Sequence, residues 1–99
     1  MSPYLLTPAA RADLDDIWDY SETNWGTVQA ETYVRAIDAA CRGLHTGASV
    51  SQSADYIREG YRKAYVGRHV LFYRQGDDGI VIVRILHQRM DIKLSLIHI

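Results

Sequence analysis

The residues best suited to chemistry stand together near the end of the chain, in the segment GIVIVRILHQRMD at residues 79–91. Its aliphatic run is typical of a buried strand, yet it contains Arg84 and ends in His87, Arg89 and Asp91. A histidine beside cations and a carboxylate could perform acid–base catalysis on a phosphate, or could bind a charged partner. The same residues could also be the polar end of an ordinary strand, and the segment by itself leaves all three interpretations open.

Other reactive residue types are arranged less suggestively. Cys41 stands in step with Ile37 and Leu44 on an apolar helix face, which predicts a buried thiol rather than a nucleophile. The histidines lack the H-x-H and HExxH spacings of zinc sites. A zinc pair of His69 and His87 is one alternative, but structural hydrogen bonds are favoured for both. We therefore expect neither a metal ion nor another cofactor.

The acidic segment DLDDIWD carries Asp13, Asp16 and Asp19, which fall on the polar face of a predicted helix. Carboxylates in the first half of a helix complement its dipole. We therefore predict that these three side chains face solvent and take no part in catalysis.

Charge is divided unevenly along the chain. Residues 1–55 hold three basic and eight acidic side chains, a net charge of −5, whereas residues 56–99 hold eight basic and four acidic ones, a net charge of +4. Cations interleaved with tyrosines are typical of a sheet that faces RNA or DNA. The alternative is that the cations solubilise a sheet edge and the tyrosines are half-buried. The residues concerned are Arg58, Arg62, Lys63, Arg68, Arg74, Arg84 and Arg89, with Tyr61, Tyr65 and Tyr73.

Length and composition indicate one globular domain. The chain has 99 residues, of which 47% are hydrophobic and 23% charged, and these are ordinary values for a domain of ~100 residues. The single cysteine excludes an internal disulfide, and no apolar run approaches the roughly 20 residues of a membrane span. We expect a cytoplasmic protein that makes no contact with a membrane.

Two amphipathic helices are predicted in the first half of the chain. Thr7 and Pro8 supply an N-cap and a first helical residue, and Gly26 supplies a stop. A second helix follows at once, with Thr27 as its expected N-cap and Gly47 beyond its last turn. Because the connection is so short, the helices must fold back as an antiparallel hairpin.

The second half changes to a period of two, the pattern of strands. A short strand at residues 4–6 precedes the helices, residues 46–55 form a loop, and three strands follow, joined at Gly67-Arg68 and at the GDDG turn. The last strand is apolar on both faces and is expected to be central. The predicted order is β–α–α–β–β–β, an α+β fold in which an antiparallel sheet packs on an N-terminal helical hairpin.

The final residues fit this scheme poorly. Residues 93–99 (KLSLIHI) place several large aliphatic side chains at an exposed end, without a turn or cap signal. LSLIHI also matches the translation of a sequencing-library adapter. We expect the domain to span residues 1–92 and regard 93–99 as a doubtful tail, with a genuine edge strand as the alternative.

The linear pattern resembles one family. The segments YLLTPAARADLDDIWDYSETNWGTVQAETYVRAI, IREGYRKAYVGRHVLFYR and IVIVRILHQRMD are similar to those of the ParE toxins of the RelE/ParE superfamily. The resemblance covers residues 4 to about 91. It is most specific where G-x-R-K-x-x-x-G-x-H-x-x-F-Y-R is followed at the right distance by R-I-L-H-Q-R-M-D. It implies the same order of helices and strands.

The resemblance implies a toxin of a type II toxin–antitoxin module that inhibits DNA gyrase without catalysis and is neutralised by a ParD-like antitoxin. No sequence-specific DNA binding is expected. The alternatives are a RelE-like ribosome-dependent endoribonuclease and a degenerate, non-toxic module that binds an antitoxin. RelE-like enzymes carry an arginine where this chain has Val70, and a C-terminal tyrosine where this chain has none after Tyr73. Arg89 alone could match one of their essential arginines.

Two sets of candidate residues follow. By resemblance, the set that binds gyrase comprises Arg62, Arg84, His87, Arg89, Met90 and Asp91. Amphipathic helices suit an antitoxin helix laid in a groove, for which the candidates are Trp18, Trp25, Tyr33 and Ile37. Plain core positions are the alternative for this second set. An internal salt bridge is the alternative for Arg84 and Asp91, and a structural hydrogen bond is the alternative for His87.

Overall fold

The computed structural model describes residues 3–89 as one mixed α+β domain. Met90 and Asp91, and the doubtful tail, lie outside the described residues. The elements are β1 (Tyr4–Leu6), α1 (Pro8–Trp25), α2 (Thr27–Thr46), β2 (Gln52–Ser53), β3 (Arg62–Val66), β4 (His69–Gly76) and β5 (Gly79–His87). The sheet order is β1-β5-β4-β3-β2. The predicted fold class is confirmed, and β2 is an additional strand where a loop was predicted.

The sheet is mixed rather than wholly antiparallel. β1 runs parallel to β5, with Tyr4 opposite Ile80 and Leu6 opposite Ile82. The other three pairs of neighbouring strands are antiparallel. A parallel pair needs a long crossover connection. Here that connection includes both helices, which follow β1 in the sequence and precede all the other strands. The antiparallel prediction was therefore wrong at this edge, because a three-residue strand carries no local signal of its direction.

Thr7 fixes the start of α1 and ties it to the sheet. Its hydroxyl accepts the Ala10 N–H at 3.1 Å, as an N-cap does, and donates to the Val83 carbonyl at 2.7 Å. Its backbone N–H donates to the Ile82 carbonyl at 3.0 Å. Pro8 follows at the first helical position, where a missing N–H costs nothing. One residue therefore caps α1 and anchors it to β5.

Replacing Thr7 with alanine should lower the free energy of unfolding by about 1–2 kcal/mol, because an N-cap and a second hydrogen bond are lost. Thr7→Ser keeps the hydroxyl and should retain most of the stability. Urea denaturation of both variants measures the difference. An equal loss in the two would assign the effect to the methyl group instead.

The helical hairpin turns at Gly26. This residue has φ +90°, in the region that favours glycine. Its N–H donates to the Glu22 carbonyl, and its own carbonyl accepts the Ala30 N–H. Gly26 therefore ends α1 and also caps α2, so the prediction of Thr27 as N-cap was wrong by one residue. Neither helix of the described chain is long and apolar enough to cross a membrane.

Each face of the sheet carries a cluster of buried apolar side chains. The helix-facing cluster includes Ile37, Cys41, Leu71, Ile82 and Ile85. The opposite cluster comprises Ala54, Tyr61, Val70, Phe72, Val83 and Leu86, with Ile57 packed against it. This explains the apolar character of β5, an interior strand that contributes to both clusters, as predicted. Burial raises the pKa of the Cys41 thiol to about 12, which fits the predicted core role.

Candidate functional site

An open groove of about 920 Å³ lies between the helical hairpin and the end of the sheet where β5 finishes. We call it the helix–sheet groove. Acidic and aromatic side chains come from the helices, whereas cations and histidines come from the strands. It is lined by Asp13, Asp16, Ile17, Tyr20, Ser21 and Trp25 of α1, by Gln29 and Tyr33 of α2, by Gly67, Arg68 and His69, and by Arg84, Ile85, Leu86 and His87 of β5.

Two histidines and a tyrosine form the strand end of the groove. His69 and His87 face each other across β4 and β5, with ring centroids 5.3 Å apart and the rings edge to face. The Tyr33 hydroxyl lies 2.6 Å from His69 Nδ1. The Arg89 N–H donates to His87 Nδ1 at 3.1 Å, so a neutral His87 carries its proton on Nε2. Within residues 3–89 no three His, Cys, Asp or Glu side chains converge as metal ligands.

The close contact between Tyr33 and the β3–β4 turn requires glycine. Gly67 has φ +55°, and a Cβ there would lie 2.6 Å from a carbon of the Tyr33 ring. The Tyr33 hydroxyl also accepts the Arg68 N–H at 3.1 Å. α2 is thereby joined to the turn, and the turn sets the position of His69.

Protonation of His69 is disfavoured in the folded protein. Burial lowers its pKa most, and the neighbouring His87 lowers it further, whereas the Asp13 carboxylate opposes both. Below the ordinary histidine pKa of roughly 6.5 the unfolded chain therefore binds more protons than the folded chain. The stability contributed by neutral His69 is complete above that pH and is lost as the pH falls.

We therefore expect the free energy of unfolding to decrease between about pH 7 and pH 5. His69→Asn removes the titrating group and should flatten this dependence, whereas His45→Asn, at an exposed position, should leave it unchanged. Denaturation curves at several pH values measure it. Hydrogen bonds from Tyr4 and from the Gly60 N–H hold the pKa values of Asp38 and Asp55 below the ordinary range of a carboxyl group, so these two groups titrate at lower pH than this window. A flat wild-type curve would contradict the role of His69.

Arg84 is held by Asp13. Arg84 Nε and Nη2 donate to Asp13 Oδ2 and Oδ1 at 2.7 and 2.9 Å, and the Ile85 N–H donates to Oδ2 at 2.9 Å. The pairing of β1 with β5 stops at Ile82. Beyond that point the Asp13 carboxylate, instead of a neighbouring strand, accepts the hydrogen bond of the Ile85 N–H. Arg84 thus forms the internal salt bridge named as its alternative, with Asp13 as the partner.

The prediction that Asp13 faces solvent was therefore wrong. Asp13 lies three residues after Ala10 and four before Ile17, both buried, so the helical period places it toward the sheet. Its charge suggested the polar face, but Arg84 compensates that charge. Asp16 and Asp19 are exposed, as predicted.

The groove brings together residues from both candidate sets. Trp25 and Tyr33, proposed for an antitoxin, line it together with Arg84 and His87, proposed for the target. Ile37 is 2% exposed, which favours the alternative that it is a plain core position. Trp18 is half-buried and Arg89 is exposed, and neither lines the groove.

Arg62 stands apart from the groove. It lies four residues before Val66 along β3, a separation of roughly 13 Å at ~3.3 Å per residue. The Val66 end of β3, paired with His69, is the end that adjoins the groove. The Arg62 Nε donates to the Ser51 hydroxyl at 3.1 Å, so this arginine belongs to the β2 side of the sheet.

Several groove residues were missed in the sequence. Tyr20 is 66% exposed, and it was overlooked because it falls among the acidic residues of α1. A large aromatic on a polar helix face is the signal that indicates it. Gln29 carried no pattern that could have selected it, and Arg68 was named only among the cations interleaved with tyrosines.

The chain matches the protein family described as "ParE toxin of type II toxin-antitoxin system, parDE" over residues 4–92. It is 45% identical to Toxin ParE1 of Mycobacterium tuberculosis H37Rv over 96 residues, which cover 96% of this chain and 98% of the relative. It is 43% identical to Toxin ParE1 of Caulobacter vibrioides, with coverage of 97% and 99%.

A solved structure shares the fold. It is titled "Chromosomal ParDE TA system from P. aeruginosa" and superposes with a TM-score of 0.69 at 24% identity, covering 88% of this chain and 96% of that chain. Family match, relatives and fold agree with each other and with the order of helices and strands described above. This chain belongs to the ParE family of toxins of type II toxin–antitoxin systems.

Proposed function

We propose that this toxin acts in the cytoplasm by binding DNA gyrase, and that a ParD-like antitoxin neutralises it by laying a helix in the helix–sheet groove. The observation that carries the proposal is the groove itself, because it joins exposed aromatics of the helical hairpin to the polar end of β5. Grooves of this kind suit an amphipathic helix, with apolar anchors at one end and polar contacts at the other.

The aromatic end of the groove offers anchoring area. Trp25 and Tyr20 are 65% and 66% exposed, and large exposed rings beside a concave surface are typical of binding sites. Ile17 and Leu86 also line the groove, but they are 7% and 1% exposed and are already shielded from water. A partner helix that covers this end would therefore remove mainly the exposed surface of the Trp25 and Tyr20 rings from water.

The polar end of the groove contains His87 and lies beside the exposed Arg89. These residues belong to the segment proposed to contact gyrase. An antitoxin in the groove would cover or contact these residues. The toxin could then not bind gyrase and the antitoxin at this surface at the same time. Neutralisation then follows from steric exclusion and requires no change in the fold of the toxin.

The site supports binding better than catalysis. Val70, which replaces the arginine of RelE-like enzymes, is 1% exposed in the apolar cluster. The charge of Arg84 is compensated by Asp13. The Nδ1 atom of His69 is hydrogen-bonded to Tyr33, and that of His87 accepts the Arg89 N–H. RNA cleavage needs an acid or base and uncompensated cations around the scissile phosphate.

Purified protein added to gyrase, ATP and supercoiled plasmid should cause cleaved DNA to accumulate, and the cognate antitoxin should prevent this. Arg89→Ala should weaken the effect. Arg35→Ala, which removes an exposed cation paired with Glu31 on α2, should not. Cleavage of message on ribosomes without an effect on gyrase would reverse the proposal in favour of an endoribonuclease. Tight antitoxin binding with neither effect would indicate a degenerate module.

A further inference from the structure

Two exposed tyrosines flank a lysine on the face of the sheet turned away from the helices. Tyr56 and Tyr65 are 59% and 54% exposed. The Lys63 Nζ lies 5.0 Å from the centroid of the Tyr56 ring and 5.8 Å from that of the Tyr65 ring. It also donates to the Tyr56 hydroxyl at 3.0 Å. We call these three residues the tyrosine–lysine patch.

The position of the patch follows from the alternation of β3. Ala64 and Val66 belong to or pack on the helix-facing cluster, so Lys63 and Tyr65 point to the other face. The helix–sheet groove is on the helix side. An antitoxin seated in the groove would therefore leave the patch uncovered, and the patch needs an explanation of its own.

The charge around the patch is positive. Arg58, two residues after Tyr56, is exposed, and its guanidinium lies 5.9 Å from the centroid of the Tyr61 ring. Arg62 precedes Lys63, but the alternation of β3 points it to the opposite face. Two acidic residues are nearby in sequence, Asp55 and Glu59. The Asp55 carboxylate accepts the Gly60 N–H at 2.8 Å and is attracted electrostatically to Arg62. The charges that remain near the patch are those of Lys63, Arg58 and Glu59, which sum to +1.

We propose that the tyrosine–lysine patch binds single-stranded nucleic acid without sequence preference. Unpaired bases would stack on the exposed rings of Tyr56 and Tyr65, and the Lys63 ammonium between the rings would meet the phosphate that links those bases. Stacking platforms combined with cations are the common means of binding single strands, because every base has a flat apolar face. An acidic peptide would use the cations but would have no need of two rings.

The test is fluorescence anisotropy with the full-length protein and fluorescein-labelled 15-residue oligo-dT and oligo-U at low salt. Both oligonucleotides should bind. If one binds more tightly, it identifies DNA or RNA as the preferred single strand. Tyr56→Ala and Tyr65→Ala should each weaken binding about tenfold, within the ~1–3 kcal/mol of a stacked base. Tyr20→Ala, which removes an equally exposed ring from the groove side, should have no effect.

Salt and competition separate stacking from simple charge attraction. Lys63→Ala should reduce the slope of log affinity against log salt by roughly 0.7, the value for one phosphate contact on a single strand. Tyr65→Phe keeps the ring and should bind as the wild type. The proposal is overturned if neither oligonucleotide binds, if both tyrosine-to-alanine variants bind normally, or if polyglutamate of equal charge displaces the oligonucleotide. Gyrase is absent from these assays, so they are independent of the proposed function.

Discussion

Replacing Asp13 with alanine should lower the free energy of unfolding by about 2–3 kcal/mol. The substitution removes three hydrogen bonds, leaving the Arg84 guanidinium and the Ile85 N–H without their acceptor. The side chains of Arg84 and Asp13 are 21% and 13% exposed, so water replaces the lost partner only in part. Breaking a buried pair costs ~3–5 kcal/mol, and partial exposure reduces that figure. Thermal or urea unfolding measures the loss.

Three further variants identify the cause of that loss. Asp13→Asn retains an acceptor for the Ile85 N–H and should lose less than alanine does. Asp13→Ala combined with Arg84→Met removes the unpaired charge and should recover part of the stability. Asp15→Ala, at an exposed position on the same helix, should change stability by no more than ~0.5 kcal/mol. Equal losses for Asp13→Ala and Asp15→Ala would show that the contact between α1 and β5 contributes nothing.

Local signals predicted the helices and most of the sheet. Gly26 and the GDDG turn stand where the chain reverses, because each turn depends on a few adjacent residues. β1 and β2 depend on distant partners. β1 pairs in parallel with a strand more than 70 residues away, and β2 has two residues without a period. Their direction or existence therefore could not be derived from local pattern.

Only part of the groove could be predicted, again because local pattern does not show contacts between distant elements. Helical period shows which side of α1 faces the protein, but it does not show how far the sheet extends beneath that side. Trp25, the last residue of α1, shares the apolar face with Ile17, yet it is 65% exposed against 7% for Ile17. The role of Asp13 was missed because residue type was given more weight than period.

The exposure of Trp25 leads to the strongest functional prediction. Trp25→Ala should weaken binding of the cognate antitoxin by about 2–3 kcal/mol, roughly 30- to 150-fold in the dissociation constant. A tryptophan buries ~150–250 Å² when it is covered. Tyr20, whose exposed ring also lines the groove, would contact the same partner helix. Stability should hardly change, because Trp25 contributes little buried surface to the free toxin.

Calorimetric titration of the toxin with its antitoxin tests this prediction, alongside an unfolding curve for each variant. Val28→Ala is the matched control, since Val28 is an apolar residue of the same hairpin that is 80% exposed but is not among the groove residues. It should leave the dissociation constant within about threefold, the ~0.5 kcal/mol expected of an isolated surface substitution. If Trp25→Ala bound like the wild type while Val28→Ala did not, the antitoxin would lie on the outer surface of the hairpin. The steric account of neutralisation would then fail, because the polar end of β5 would stay open to gyrase.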